Sequence, residues 1–150
     1  MEKVFDSVGF YGPHITFVIG FTSLLKQPKF IASYLVFTTI NMLINKILKY
    51  SIQQPRPVNG KSFIENENYS GADKYGMPSA HAQSVLFSTT YLYLVKKSII
   101  SLIIELYICF LTLYQRWSYN RHTIEQLLVG SFIGIINAYF SVTITKKFLQ

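Results

Sequence analysis

HTIEQLLVGSFIGIINAYFSVTIT, residues 122–145, sets the fold class. A helix needs about 20 mostly apolar residues to cross a hydrocarbon core. This stretch is long enough, and its one carboxylate, Glu125, lies at its start. Four other stretches, residues 7–25, 30–48, 79–95 and 98–114, read the same way. The expected fold is therefore all-α: a polytopic transmembrane helical bundle of about five spans.

Composition agrees. Half of the 150 residues are apolar and only 14% are charged, with 12 Phe and 11 Tyr, which is too apolar for an ordinary soluble domain. The length suits one integral membrane domain over residues 1–150. The net charge of +7 is scattered between apolar blocks and accompanies no nucleic-acid motif, so nucleic acid is excluded as a partner. The single cysteine, Cys109, allows no disulfide framework within the chain and reads as a packing residue. Pro13, His14 and several glycines dilute the first span, and acidic Glu2 and Asp6 precede it. A cleavable signal starts basic, so a retained helix is expected here.

Five spans place the connections 26–29 and 96–97 and the tail from Lys146 on one side. The amino terminus, the loop 49–78 and the link 115–121 fall on the other. The first side carries six lysines and no acid. The opposite side has Lys3, Lys61, Lys74 and Arg121, with Lys46 nearby. The lysines concentrated in short connections mark the first side as cytosolic and the second as outward or lumenal. Asn68-Tyr69-Ser70 in the long loop is a glycosylation acceptor pattern that fits this orientation.

Every polar constellation falls on the second side. Lys49 and Arg56 are seven apart, Pro78-Ser79-Ala80-His81 opens the third span, and Arg116 is followed six residues later by His122 at the start of the fifth. Three cations and two helix starts suit a phosphate. Helix starts offer unpaired N–H groups and the positive end of the dipole, arginine offers planar bidentate donors, and lysine offers a compact charge. Ser79, behind a proline, is an expected N-cap. One neutral imidazole can attack phosphorus while a second, protonated one donates to the departing oxygen. No His/Asp/Glu cluster has metal-ligand spacing, so chemistry without metal or cofactor is expected.

These motifs, K-x6-R-P (Lys49, Arg56, Pro57), P-S-x-H (Pro78, Ser79, His81) and R-x5-H (Arg116, His122), resemble those of the type 2 phosphatidic acid phosphatase superfamily. Its members hydrolyse lipid phosphates and diphosphates. The third motif usually begins with serine and has an aspartate four residues after its histidine, where this chain has Gln115 and Gln126. With Gly76, Met77 and Gln83 in the second motif and Thr123, Gln126 and Gly130 in the third, the chain is most similar to the dolichyl diphosphatase branch, where that glutamine is usual. The resemblance implies a six-helix core lacking one amino-terminal helix here. It also implies removal of the terminal phosphate from dolichyl diphosphate at the lumenal face of the endoplasmic reticulum. His122 would be the nucleophile and His81 the general acid; in place of the aspartate, the Gln126 carbonyl, four residues on and on the same helical face, is the favoured acceptor for the His122 N–H, with Glu125 as the alternative. Lys49, Arg56, Ser79 and Arg116 would cradle the phosphate. Phosphatidic acid, another isoprenoid diphosphate, and a catalytically silent lipid-phosphate-binding protein stand as alternatives.

Other residues read as structural. Glu105, in the fourth span, is expected to be neutral or hydrogen-bonded, with Asn41 or Asn45 as partner. Gly130 and Gly134 form a G-x-x-x-G step for close helix packing. His14 reads as interfacial, and Tyr114, Trp117 and Tyr119 as an aromatic belt. Glu65, Glu67 and Asp73 are expected to solvate the long loop.

Overall fold

The computed structural model describes residues 2–64 and 69–148; Asn68, Glu65 and Glu67 lie outside the described residues. Five α-helices follow one another: α1 Glu2–Ser23, α2 Pro28–Ile52, α3 Ala80–Lys96, α4 Ile99–Ser118 and α5 Ile124–Phe148. A 3₁₀ turn, Gly71–Lys74, interrupts the long α2–α3 loop.

Local chemistry accounts for most boundaries. Pro28 occupies the first turn of α2, where its missing N–H costs nothing. Ser79 caps α3 and Ser98 caps α4, each hydroxyl accepting from the N–H three residues on. α2 and α3 end on left-handed residues, Gln53 and Lys97, whose N–H groups return to the carbonyls of Lys49 and Tyr93. α1 begins five residues before its apolar stretch and α5 ends three after its own, and two further helices run on at the polar end of the bundle. α2 continues through Lys49, and α4 through Gln115 and Arg116, so these residues belong to last helical turns rather than to a loop and a link. The hydropathy pattern stops where polar residues begin, whereas the backbone ladder continues because those polar residues are buried against protein.

α2, α4 and α5 are each long and apolar enough to cross a membrane. Ile103, Phe110, Phe132 and Phe140 stand exposed along α4 and α5, as a lipid-facing surface requires. The protein is an integral membrane protein. α3 is shorter and more polar because it is the central helix, packed against all four others. Its Gln83 amide donates to the backbone and side-chain oxygens of Asn41, 2.8 and 2.9 Å away, and accepts from Asn45 at 2.8 Å. Asn137 of α5 donates to the same Asn41 oxygen at 2.7 Å. This buried amide network ties α2, α3 and α5, and it occupies the two asparagines expected to partner Glu105. Glu105 instead lies buried in α4, near Thr89 of α3 rather than against either asparagine.

Toward the end of the bundle away from the loop, Leu24, Tyr34, Phe87, Tyr91, Ala138 and Val142 form the apolar core. Tyr34 donates to Ser88 at 2.8 Å and Tyr91 to the Phe30 carbonyl at 2.9 Å, so both hydroxyls are satisfied. Gly130 and Gly134 face α3 as the G-x-x-x-G reading expects. A Cβ at Gly130 would stand 2.5 Å from the Ser79 carbonyl oxygen, and one at Gly134 would overlap the Gln83 carbonyl. Because backbone is the obstacle, α3 and α5 must separate to admit a side chain. Gly134→Leu is therefore expected to cost about 1–3 kcal/mol in thermal unfolding of the detergent-solubilised protein. Phe132→Leu, on the exposed face, should change stability by less than about 0.5 kcal/mol.

Candidate active site

The candidate residues converge at one end of the bundle, where α2 and α4 finish and α3 and α5 begin. Lys49, in the last turn of α2, is fully buried. Its ammonium donates to the Tyr75 carbonyl at 2.7 Å and lies 3.6 Å from the Asp73 carboxylate. Arg56 reaches in from the loop. Its Nε donates to the Asp73 carbonyl at 2.9 Å and its Nη1 to the Arg121 carbonyl at 3.0 Å. Asp73 thus braces both cations through carboxylate and backbone, which corrects its reading as a loop-solvating residue. A carboxylate 17 positions from Arg56 gives no spacing signal in the sequence; only the fold of the loop brings them together.

His122 sits just ahead of α5, buried. Its Nε2 is 2.9 Å from Arg56 Nη1, and its Nδ1 is 3.1 Å from Gln126 Oε1. A guanidinium cannot accept and an amide oxygen cannot donate, so the tautomer is fixed: Nδ1 carries the proton and the Nε2 lone pair faces Arg56. Burial above all, then the positive fields of Arg56 and Lys49, hold the imidazole well below its ordinary value of 6.5, against the opposing pull of the Gln126 hydrogen bond. His81 adds a weaker field of the same sign.

Gln126 closes this geometry. Thr123 and Gln126 form a capping box in which the Thr123 hydroxyl accepts from the Gln126 N–H and the Gln126 side chain accepts from the Thr123 N–H, both at 3.3 Å. The same amide oxygen takes the His122 proton, while the amide nitrogen donates to Gln54 Oε1 and the Pro55 carbonyl, each at 2.9 Å. Gly76 makes room: a Cβ there would stand 2.5 Å from the amide nitrogen. Glu125, the alternative partner, points outward and is exposed.

Arg116 is buried in the last turn of α4. Its Nε donates to Gln115 Oε1 at 2.7 Å, and its guanidinium carbon lies 5.0 Å from the Phe10 ring centre. Gln115, noted in the sequence only as a departure from a motif, orients this arginine. Ser79 is fully buried, and its N–H goes to the Gln126 carbonyl at 3.1 Å. Any help it gives an anion must come from its hydroxyl or from the following turn. His81, half-buried in the first turn of α3, has its ring 6.0 Å from that of Phe10.

Two cavities reach the histidines. One of about 410 Å³ opens beside His122 between Pro57, Trp117 and Ile124. Another of about 420 Å³, walled by Phe17, Val18, Met42 and Phe87 of α1, α2 and α3, has His81 and His14 on its lining. A third, of about 820 Å³, lies between α1, α4 and the loop at Lys61 and Ser62, and none of the candidate residues lines it.

A membrane-embedded helical bundle that gathers cations around a tautomer-fixed histidine has the charge and the donors that an anionic group at the membrane surface would need. The PAP2 superfamily model matches residues 30–150, and the chain belongs to that superfamily. It is 32% identical to the Saccharomyces cerevisiae protein named dolichyldiphosphatase, over 72% of this chain and 50% of that protein. It is 29% and 28% identical to the mouse and human proteins named dolichyldiphosphatase 1, in both cases over 88% of this chain and 60% of the relative. The chain thus spans about half to three fifths of the length of these relatives. No solved structure matches it.

A glutamate at position 126 would set a second carboxylate oxygen against the Gln54 and Pro55 oxygens while adding negative charge beside His122. Gln126→Glu is therefore expected to lose about 1–3 kcal/mol of stability and to raise the His122 pKa, so that the ring protonates at higher pH. Nitrogen-15 histidine NMR checks the second point. The wild-type ring should stay neutral as pH falls through 6.5, and titration of wild type and variant at the same pH contradicts the assignment.

Proposed function

We propose that this chain hydrolyses lipid diphosphates, with dolichyl diphosphate converted to dolichyl phosphate and inorganic phosphate, without a metal and through a phosphohistidine. The observation that carries the reading is the fixed tautomer of His122, whose unprotonated Nε2 lies against the Arg56 guanidinium. A terminal phosphoryl group arriving there draws the Arg56 N–H from Nε2 onto its own oxygens, which frees the lone pair for its phosphorus. Membership of the PAP2 superfamily and the names of the relatives support the same chemistry.

In the first step the His122 Nε2 lone pair forms a bond to the terminal phosphorus as the bond to the bridging oxygen breaks. The negative charge of the bound diphosphate favours a proton on His81, which passes it to that oxygen, and lipid monophosphate departs. The Nδ1–H bond to Gln126 keeps the ring aligned while it acquires positive charge. In the second step water attacks the phosphohistidine, His81 takes the water proton, and the P–N bond breaks to release phosphate and restore the lone pair. Lys49, Arg56 and Arg116 neutralise the phosphoryl oxygens, with Ser79 contributing its hydroxyl; positioning and charge are most of what phosphoryl transfer requires. The apolar cavity walled by Phe17, Val18, Met42 and Phe87 suits the first units of a branched hydrocarbon tail. The lysine-rich connections at the opposite end of the bundle support a lumenal site in the endoplasmic reticulum, within one phosphatase domain spanning the chain.

Purified protein in chelator should release phosphate from dolichyl diphosphate faster than from phosphatidic acid. His122→Ala should abolish release, and His81→Ala should slow it by about 10²–10⁴-fold. Faster turnover of phosphatidic acid overturns the substrate assignment. Equal inactivity of folded wild type and His122→Ala makes the chain a lipid-phosphate-binding protein instead.

A further inference from the structure

The cavity of about 820 Å³ between α1, α4 and the loop serves none of the proposed chemistry. Its longest wall is α4, where Tyr107, Phe110, Leu111, Tyr114 and Ser118 stand on one face at helical spacing. Leu111 is buried, while Tyr107, Phe110 and Tyr114 are each more than half exposed. At a rise of about 1.5 Å per residue the wall runs about 16 Å from Tyr107 to Ser118. That is the depth of one leaflet, about half of a hydrocarbon core of ~30 Å.

The end of this groove at the membrane surface is polar. Asp6, in the second turn of α1, accepts from the Tyr119 hydroxyl at 2.9 Å. Exposed Lys61 and Ser62 of the loop complete the rim. The loop is fastened there, because the Lys61 N–H donates to the Tyr119 carbonyl at 2.8 Å and Arg121 Nη2 donates to Ser62 Oγ at 2.9 Å. Tyr119 thus holds one charged residue by its hydroxyl and the other by its carbonyl. Among the described residues, neither the Lys61 ammonium nor the Asp6 carboxylate has an ion-pair partner. Pockets for small ligands are mostly apolar with a few placed polar groups that fix orientation. Here those groups are one cation and one anion at the head of an aromatic groove one leaflet deep. A bare hydrocarbon would leave both charges unanswered, and a small polar solute would leave the aromatic wall uncovered. A zwitterionic lipid answers both.

We propose that this groove binds a membrane phospholipid with an aminoethyl phosphate headgroup, its phosphate on Lys61, its ammonium on Asp6 and one acyl chain along the aromatic face of α4. Both headgroup contacts are charge-assisted hydrogen bonds. The lipid is a resident ligand rather than a substrate, since no candidate catalytic residue lines the groove, and the site stands independently of the proposed hydrolysis.

The test uses the full chain purified in detergent, stripped of lipid and titrated with phosphatidylethanolamine, phosphatidylcholine or diacylglycerol. Native mass spectrometry reads the lipid bound to each chain, and thermal melting reads the stabilisation. Phosphatidylethanolamine should bind about tenfold more tightly than phosphatidylcholine, whose methylated nitrogen offers Asp6 no N–H, and diacylglycerol should bind most weakly. Asp6→Asn should erase the preference between the two phospholipids, and Lys61→Gln should weaken both by about tenfold. Ser118→Trp, which sets an indole at the head of the groove, should prevent retention of all three. Should melting show that variant unfolded, Phe110→Ala on the exposed wall takes its place, with severalfold weaker binding of all three expected. Equal binding of the three lipids, unchanged in Asp6→Asn and Lys61→Gln, is non-specific annular lipid and overturns the site. A lipid-free dimer that Ser118→Trp or Phe110→Ala separates also overturns it, because a second copy of the chain then fills the groove.

Discussion

The candidate site depends on one side chain, the Gln126 amide, with both its ends engaged. Its oxygen faces two donors, His122 Nδ1–H and the Thr123 N–H; its nitrogen faces two acceptors, Gln54 Oε1 and the Pro55 carbonyl. Flipping the amide would mismatch all four contacts, so the network itself fixes its orientation. The residue's backbone carbonyl meanwhile accepts the Ser79 N–H, which docks the start of α3 on the first turn of α5. One residue thus joins the loop after α2, the start of α3, the start of α5 and the histidine ring. The group is fully buried, so each of these bonds replaces water that cannot reach it.

The close approach that makes this possible is a matter of missing atoms. Gly76 leaves space for the amide, and Gly130 and Gly134 let α5 meet the backbone of α3. α1 is attached in the same way: a Cβ at Gly9 would stand 2.6 Å from the Leu111 carbonyl of α4. The glycines that dilute the first apolar stretch are therefore its contact surface. In a membrane, where lipid competes for apolar side chains as well as protein does, such backbone proximity is a main source of helix association. The asparagine and glutamine network among α2, α3 and α5 adds direction to it, since few arrangements satisfy three buried amides and a half-buried fourth together.

Much of this was legible in the sequence because helices in lipid announce themselves by long apolar runs, and because Lys49, Arg56, Ser79, His81, Arg116, His122 and Gln126 are spaced by helix starts and ends. The preference for Gln126 over Glu125 followed from four-residue helical spacing, and the structure places the Gln126 oxygen at His122. What was illegible is what depends on neighbours across the fold. Asp73 bracing Lys49 and Arg56, Gln54 receiving the Gln126 amide, and Tyr69 beneath Arg56 and Arg121 all lie in a loop whose path no periodicity specifies. The extents of α2 and α4 were misread for a related reason. Hydropathy reports contact with lipid, and the last turns of both helices contact polar protein instead. Asn41 and Asn45, possible partners for Glu105 on sequence, pair instead with Gln83, which offers them a complementary amide.

An amide partner also gives the histidine a different electrostatic character from a carboxylate partner. A carboxylate would favour the imidazolium and raise the fraction of a nucleophile already spent by protonation. The amide fixes the same tautomer with no charge, so burial and the fields of Arg56 and Lys49 prevail and the ring stays neutral. On the proposed chemistry this exchanges stabilisation of the phosphohistidine cation for readiness of the lone pair. The missing negative charge then has to come from the phosphoryl oxygens of the substrate itself, held by Arg56, Lys49 and Arg116. A diphosphate brings more of that charge than a monophosphate, so on this chemistry a neutral glutamine beside the histidine suits a diphosphate substrate.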